Sequence, residues 1–324
     1  MNIFEFLGLP KDHRAENKVT QFVKHFDEVV EKHKTGKTFL GQVKKDGVCS
    51  LVVVHKGNIR IFSRTGKEFT NTANLVSRLY YLDIADGVYM GEMWMPKSIM
   101  SLEELSGAVN PNRVRPLNSK LANISFNLNM SFFDGVSLEE FIEGSSPRNF
   151  MARHRMQLGP VKTSEAGIEV LGYHLLETPS QIEHYAEEAI RMGEEGIVIR
   201  DPNADWVAGH KGYRVMKKVR GVDYDLRCIG WEEGKGKYKN RVANLLFSWK
   251  GGKTIKAMLG KGWSHQMAGE MYEAIMESSR ANRHMQGSPI GHIFQVYALE
   301  ESSKGKLRLV KVGEKRHDKT VADV

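Results

Sequence analysis

The feature that most constrains the fold of this chain is a change of texture near residue 220. Before it, strand-like and helical segments mix without the regular strand-helix alternation of a parallel α/β sheet, which argues for an α+β fold. After it come short strand-like runs at Leu226–Trp231, Val242–Trp249, Thr254–Leu259, His292–Leu299 and Leu307–Val312, separated by glycine-rich turns and interrupted by one helical stretch, Ser264–Ser279. Five short strands with one inserted helix suit a small barrel of the OB type, a common nucleic-acid binder. In a chain of 324 residues this predicts two domains, 1–220 and 221–324.

Charge follows the same division. The net charge of +8 is made of 47 basic and 39 acidic residues, and most of the excess sits after residue 220. A basic module behind a nearly neutral one suggests a polyanionic partner. Two cysteines, Cys49 and Cys228, exclude a disulfide framework and any four-cysteine zinc module. The longest strongly apolar stretch, Val48–Val54, is too short for a membrane span, and the start Met1-Asn2-Ile3-Phe4-Glu5 lacks a basic leader. A soluble, reducing, cytoplasmic setting is expected, with no membrane partner.

Within the first 220 residues, apolar side chains at Phe22, Val23, Phe26, Val29 and Val30 predict a packing helix over Thr20–Lys34. Thr38–Ser63 reads as successive antiparallel strands with tight turns at Asp46-Gly47 and Lys56-Gly57-Asn58. Further strands are predicted at Gly87–Trp94, Ile124–Phe133, Val170–Leu175 and Gly196–Arg200. Helices are predicted after the capping box Ser137-Leu138-Glu139-Glu140 and over Ser180–Met192.

The segment Gln42-Val43-Lys44-Lys45-Asp46-Gly47 places a lysine at a strand end before an Asp-Gly turn. Downstream, in order, follow Ser63-Arg64-Thr65-Gly66, Gly91-Glu92, Phe133-Asp134, Glu195-Gly196-Ile197-Val198-Ile199-Arg200, Lys217-Lys218 and Arg316-His317-Asp318-Lys319. This ordered set, spanning Gln42 to Lys319, resembles the covalent nucleotidyltransferases, specifically the compact two-domain ATP-dependent DNA ligases of phage type. The resemblance implies an ATP-grasp-like nucleotidyltransferase domain of antiparallel sheets with helices, followed by the OB barrel. The activity it implies is sealing of 5′-phosphate/3′-hydroxyl nicks in duplex DNA, in repair, replication and recombination, by a monomer that is cytoplasmic even if phage-encoded.

The resemblance also implies a role for each residue. Lys44 would attack the α-phosphorus of ATP and carry AMP as a covalent intermediate. A lysine attacks only when neutral, so its surroundings are expected to depress its pKa, with Lys217 and Lys218 brought alongside for that purpose and to bind the α-phosphate. Arg64 would contact the nucleotide sugar and Glu92 its hydroxyl, Phe133 would stack on adenine and Gln42 would meet the adenine edge. Glu195, with Glu92, would hold Mg²⁺. Arg316 and Lys319 would cover the β- and γ-phosphates in the first step and then withdraw.

Three positions depart from the family pattern. Cys49 stands where many members carry arginine, the paired-lysine motif falls on Met216 and Lys218 unless Lys217 replaces the first lysine, and Val310 takes the place of a proline. Two competing functions are an mRNA-capping guanylyltransferase that uses GTP and a non-catalytic OB-type DNA-binding protein. NAD-dependent ligases carry extra cysteine-ligated zinc and helical modules, for which this chain has neither the cysteines nor the length.

Overall fold

At Asp46-Gly47, where a hairpin is predicted, the chain crosses from one sheet to another. In the computed structural model, which describes residues 1–96, 98–161, 167–260, 262–281, 287–299, 301 and 305–324, the strand Phe39–Lys44 pairs with Gly196–Arg200 and His174–Leu176. The next strand, Gly47–His55, pairs instead with Asn58–Ser63 and Gly87–Trp94. The crossing demands glycine, since a Cβ on Gly47 would lie 2.2 Å from the Met93 carbonyl oxygen.

The chain divides into two compact units, Met1–Val219 and Arg220–Val324. The first contains two five-stranded sheets. One runs in the order Phe22–His25, Lys211–Val219, Gly196–Arg200, Phe39–Lys44, His174–Leu176, and the other Asn58–Ser63, Gly47–His55, Gly87–Trp94, Asn129–Val136, Ile168–Val170. Each is antiparallel except for one parallel edge pair.

Apolar side chains cover the second sheet on both faces. Leu51, Val53, Val88 and Met90 pack with Ile3, Phe4, Phe141 and Trp206, while Val52, Val54, Tyr89 and Met93 pack on the opposite side with Leu75, Leu79 and Leu105. The first sheet differs. Ile197, Ile199 and Met216 pack against Ile182, Ala186 and Ala189 of the helix Pro179–Arg191. Because strand side chains alternate, the opposite face receives Gln42, Lys44, Val198, Arg200 and Lys217. Packing on one face thus leaves a polar row on the other.

Three local predictions are corrected. Thr20–Lys34 is not a helix: Phe22–His25 is an edge strand, with Phe22, Lys24 and His25 opposite Lys211, Met216 and Lys217, followed by short 3₁₀ turns. Pairing with a strand far along the chain overrides the local apolar spacing. The predicted strand Ile124–Phe133 is divided into a helix, Ser119–Phe126, and a strand, Asn129–Val136; the Asn118 side chain accepts from the Leu121 N–H at 2.9 Å to start that helix. The predicted Val170–Leu175 run is split between the two sheets as Ile168–Val170 and His174–Leu176.

The second unit holds a closed barrel, in the order Val222–Glu233, Val242–Trp249, Lys253–Leu259, Lys311–Lys315, Ile293–Ala298, with the helix His265–Ala281 placing Met271 and Ile275 in the barrel core. The α+β expectation and the five-stranded barrel are both observed. Its final strand lies later than predicted, at Lys311–Lys315 rather than Leu307–Val312, and closes the barrel by parallel pairing with Lys253–Leu259. Among the described residues, no helix is long and apolar enough to cross a membrane.

Candidate active site

Lys44 is the last residue of its strand and lies opposite Gly196. The Glu195 N–H donates to the Lys44 carbonyl at 3.0 Å, and the Lys44 Nζ donates back to Glu195 Oε2 at 2.5 Å. Backbone and side chain therefore pair the same two residues, and the intervening geometry needs glycine. Gly196 has φ of 140° and a Cβ there would sit 2.3 Å from the Lys218 carbonyl oxygen. Next to this pair, Lys45 donates to Glu194 at 2.6 Å and lies 4.5 Å from the Trp94 ring centroid.

The second sheet supplies the rest. Leu51 and Met90 are paired across two strands in the apolar core; two residues on, the same face carries the pair Cys49 and Glu92. Glu92 lies within electrostatic reach of Lys44, Glu195, Asp46 and Arg64. Burial pushes its carboxyl up to about 7, with Glu195 and Asp46 adding to the effect and Lys44 and Arg64 opposing it. Arg64 is exposed on the tight turn that follows Asn58–Ser63, closed by the Gly66 N–H to the Ser63 carbonyl at 2.8 Å. Burial, and then the Glu92 charge, pushes the Cys49 thiol up to about 12, so Cys49 is a neutral thiol and no substitute for an arginine.

The expected depression of the Lys44 pKa is not found. Burial pulls it down, but the Glu92 and Glu195 charges and the Glu195 hydrogen bond more than offset this, and the pKa ends above the ordinary lysine value. The paired lysines also part company. Lys217 lies on the face of Gln42 and Lys44, and its own pKa falls through burial, with Lys44 contributing. Lys218 projects from the other face, where it pairs with Glu183 and, at 3.7 Å, Asp27. Met216 is fully buried in the apolar cluster under the helix. The structure therefore brings Lys217, and not Lys218, to the site.

Gln42 is held within the protein. It is 1% exposed, and its amide nitrogen donates to the Phe133 and Leu171 carbonyls at 3.3 and 3.2 Å while its oxygen accepts from Arg200 Nε at 2.7 Å. Its amide is engaged inside the protein and joins the two sheets. Phe133 sits at a β-bulge, where the pairing steps from Met90 with Asp134 to Gly91 with Phe132. Bulges re-aim side chains, and this one turns Phe133 to a half-buried position 5.4 Å below the Arg200 guanidinium.

Behind Phe133 lies an ion cluster that sequence reasoning missed. Asp134 accepts from Arg153 Nε and Nη2, both at 3.0 Å, from Arg200 Nη1 at 3.3 Å and from the Gly135 N–H at 2.9 Å. All three ionic side chains are at most 4% exposed. Burial opposes the Asp134 charge, but the two guanidinium groups hold its pKa below the usual carboxylate value. Asp134 and Arg200 stand in quoted motifs, whereas Arg153 had no sequence signal. In the second unit, Arg316 and Lys319 both pair with Asp225.

The family model of the ATP dependent DNA ligase domain matches residues 18–219. A DNA ligase of Pyrobaculum neutrophilum is 22% identical over 269 residues, covering 78% of this chain and 44% of that protein, and one of Pyrobaculum arsenaticum is 21% identical with the same coverage. The chain thus spans 44% of the length of these curated relatives. Among solved structures, Pmar-Lig_Pre shares the fold with a TM-score of 0.70 at 20% identity, covering 93% of this chain and 68% of its own. A structure from work on DNA binding with a minimal scaffold by Lig E DNA ligases has a TM-score of 0.65 at 17% identity, covering 92% and 98%. With a lysine between two carboxylates at the meeting of its sheets, and a family match over more than half its length, the chain belongs to the ATP-dependent DNA ligase family.

Proposed function

We propose that this chain seals 5′-phosphate/3′-hydroxyl nicks in duplex DNA, using ATP to adenylate first Lys44 and then the DNA 5′-phosphate. The observation that supports this best is the arrangement around Lys44: an amine held at a strand end by Glu195, with Glu92 from the second sheet and Lys217 on the same face. Once its proton has passed to the Glu195 carboxylate that accepts its hydrogen bond, such an amine can form a bond to the α-phosphorus as pyrophosphate departs. Lys217 would take a non-bridging oxygen of that phosphate, Phe133 would supply an adenine-stacking ring, and Arg64 would meet the sugar or the nick phosphate.

Among the described residues no three His, Cys, Asp or Glu side chains converge as a protein-only metal cage. The two carboxylates, Glu92 and Glu195, fit Mg²⁺, which keeps waters and phosphate oxygens in its shell. Mg²⁺ held there would offset phosphate charge and counter the carboxylates' hold on the Lys44 proton. Arg316 and Lys319 would serve the β- and γ-phosphates. A nicked duplex as substrate, a monomer and a setting inside the cell complete the reading.

Incubation with α-labelled ATP and Mg²⁺ should leave label on the chain that survives alkali and is released by warm acid, as a phosphoramidate requires, and Lys44→Ala should abolish it. Label that persists in Lys44→Ala would refute the nucleophile, and labelling by GTP alone would replace the ligase reading with a guanylyltransferase.

A further inference from the structure

The last barrel strand ends at Lys315, and the chain then folds back over the first barrel strand, Val222–Glu233. The Asp323 N–H donates to the Asp225 carbonyl at 2.8 Å, the Asp225 N–H donates to Asp323 Oδ2 at 2.6 Å, and Arg227 Nη2 donates to the Thr320 carbonyl at 2.7 Å. At the centre lies the Asp225 carboxylate, with a side chain only 7% exposed. It accepts twice from Arg316 Nη1, at 3.0 and 2.8 Å, and also from Lys319 Nζ. Both cations of the terminal motif thus converge on one buried carboxylate carried by a barrel strand.

The two edges of the Arg316 guanidinium are held differently. Its Nη1 corner is fixed by Asp225, whereas Nε and Nη2 face Asp318, at 3.0 and 2.8 Å. The Asp318 side chain is 66% exposed and two residues away along the same turn. An exposed local ion pair contributes little and exchanges readily, whereas a partner fixed on a sheet and screened from water does not. The Nε/Nη2 edge is therefore the one a phosphate can take over.

We propose that Asp225 is a positioning residue, an internal anion that holds Arg316 and Lys319 side by side with the Nε/Nη2 edge of the arginine outward for the phosphates of the nucleotide. This rests on the ligase reading above. Without the carboxylate the two cations, which share one oxygen, would repel and separate, although Arg227 and Asp323 would still hold the segment after Lys315 to the barrel strand.

The test uses the full chain with Asp225→Asn, which keeps the shape and removes the charge. The ATP concentration for half-maximal Lys44 labelling should rise about tenfold, the worth of one misplaced charged hydrogen bond. Sealing of a nick that is already adenylated, which needs no β- or γ-phosphate contact, should stay within about twofold of the unaltered chain, and the variant should add less than about twofold when Arg316→Gln and Lys319→Gln are both already present, because residues acting as one unit are not additive. Unchanged ATP dependence, a parallel loss of sealing on adenylated DNA, or effects that multiply when both cations are already replaced would each overturn the inference. Absence of label on the unaltered chain would instead sink the ligase reading itself, and the inference with it.

Discussion

Replacing Asp134 by asparagine tests the buried ion cluster directly. The carboxylate takes three hydrogen bonds from two guanidinium groups and a fourth from a backbone N–H, all at 2.9–3.3 Å, with side chains 2–4% exposed. Asparagine keeps the shape but removes the carboxylate paired with these two buried arginines, and it sets an NH₂ donor against N–H donors. Breaking a buried pair in this way costs about 3–5 kcal/mol. At about 2–4 °C per kcal/mol for a unit of this size, the melting temperature of the first unit should fall by roughly 6–20 °C.

The pH dependence carries the sign. The Asp134 pKa is depressed in the folded chain, so its stabilisation is complete above the ordinary aspartate value of about 4 and is lost as pH falls through the lower folded value. Urea unfolding of the two proteins should therefore differ most at neutral pH and converge below about pH 4. A loss under about 1 kcal/mol at pH 7, or a difference that grows in acid, would refute the claim that Asp134 is an ionised partner of both arginines.

Two further outcomes are expected. The Glu92 pKa of about 7 lies above its unfolded value, so unfolding stability should fall as pH rises from about 4.5 to 7 and hold its lower level above; Glu92→Gln should remove that decline and stabilise the nucleotide-free chain at pH 8 by up to about 3 kcal/mol, read by denaturant titration across the range. Lys217→Ala should slow Lys44 labelling at least about tenfold while Lys218→Ala changes it less than about threefold, since only Lys217 shares the Lys44 face; equal losses in the two variants would contradict the sheet register.

Much of the site was legible because its chemistry is carried by residues whose types and order survive in one dimension. Lys44 before Asp46-Gly47, Glu92 in an apolar strand and Glu195-Gly196 before another are quoted from the sequence, and the structure brings the three side chains together. The glycines have a structural cause as well, since Gly47 and Gly196 stand where a side chain would strike a carbonyl oxygen. The misread elements share another trait. Thr20–Lys34 carries helical spacing, but one of its segments is claimed by a distant strand, and Asp46-Gly47 has the composition of a hairpin turn but spans two sheets.

By itself the sequence determined the α+β class, the five-stranded barrel after residue 220 and the candidate partners of Lys44, because hydrophobic period, turn residues and motif order are local or ordinal properties. Only the tertiary structure decided which of these residues face one another. Strand side chains alternate with a period of two, so a shift of one position moves a lysine from the site to the helix-covered face, and it is pairing across the sheet that sets the position. That separates Lys217 from Lys218, turns Phe133 outward at a bulge, closes the Gln42 amide among Phe133, Leu171 and Arg200, and brings Arg316 and Lys319 onto Asp225.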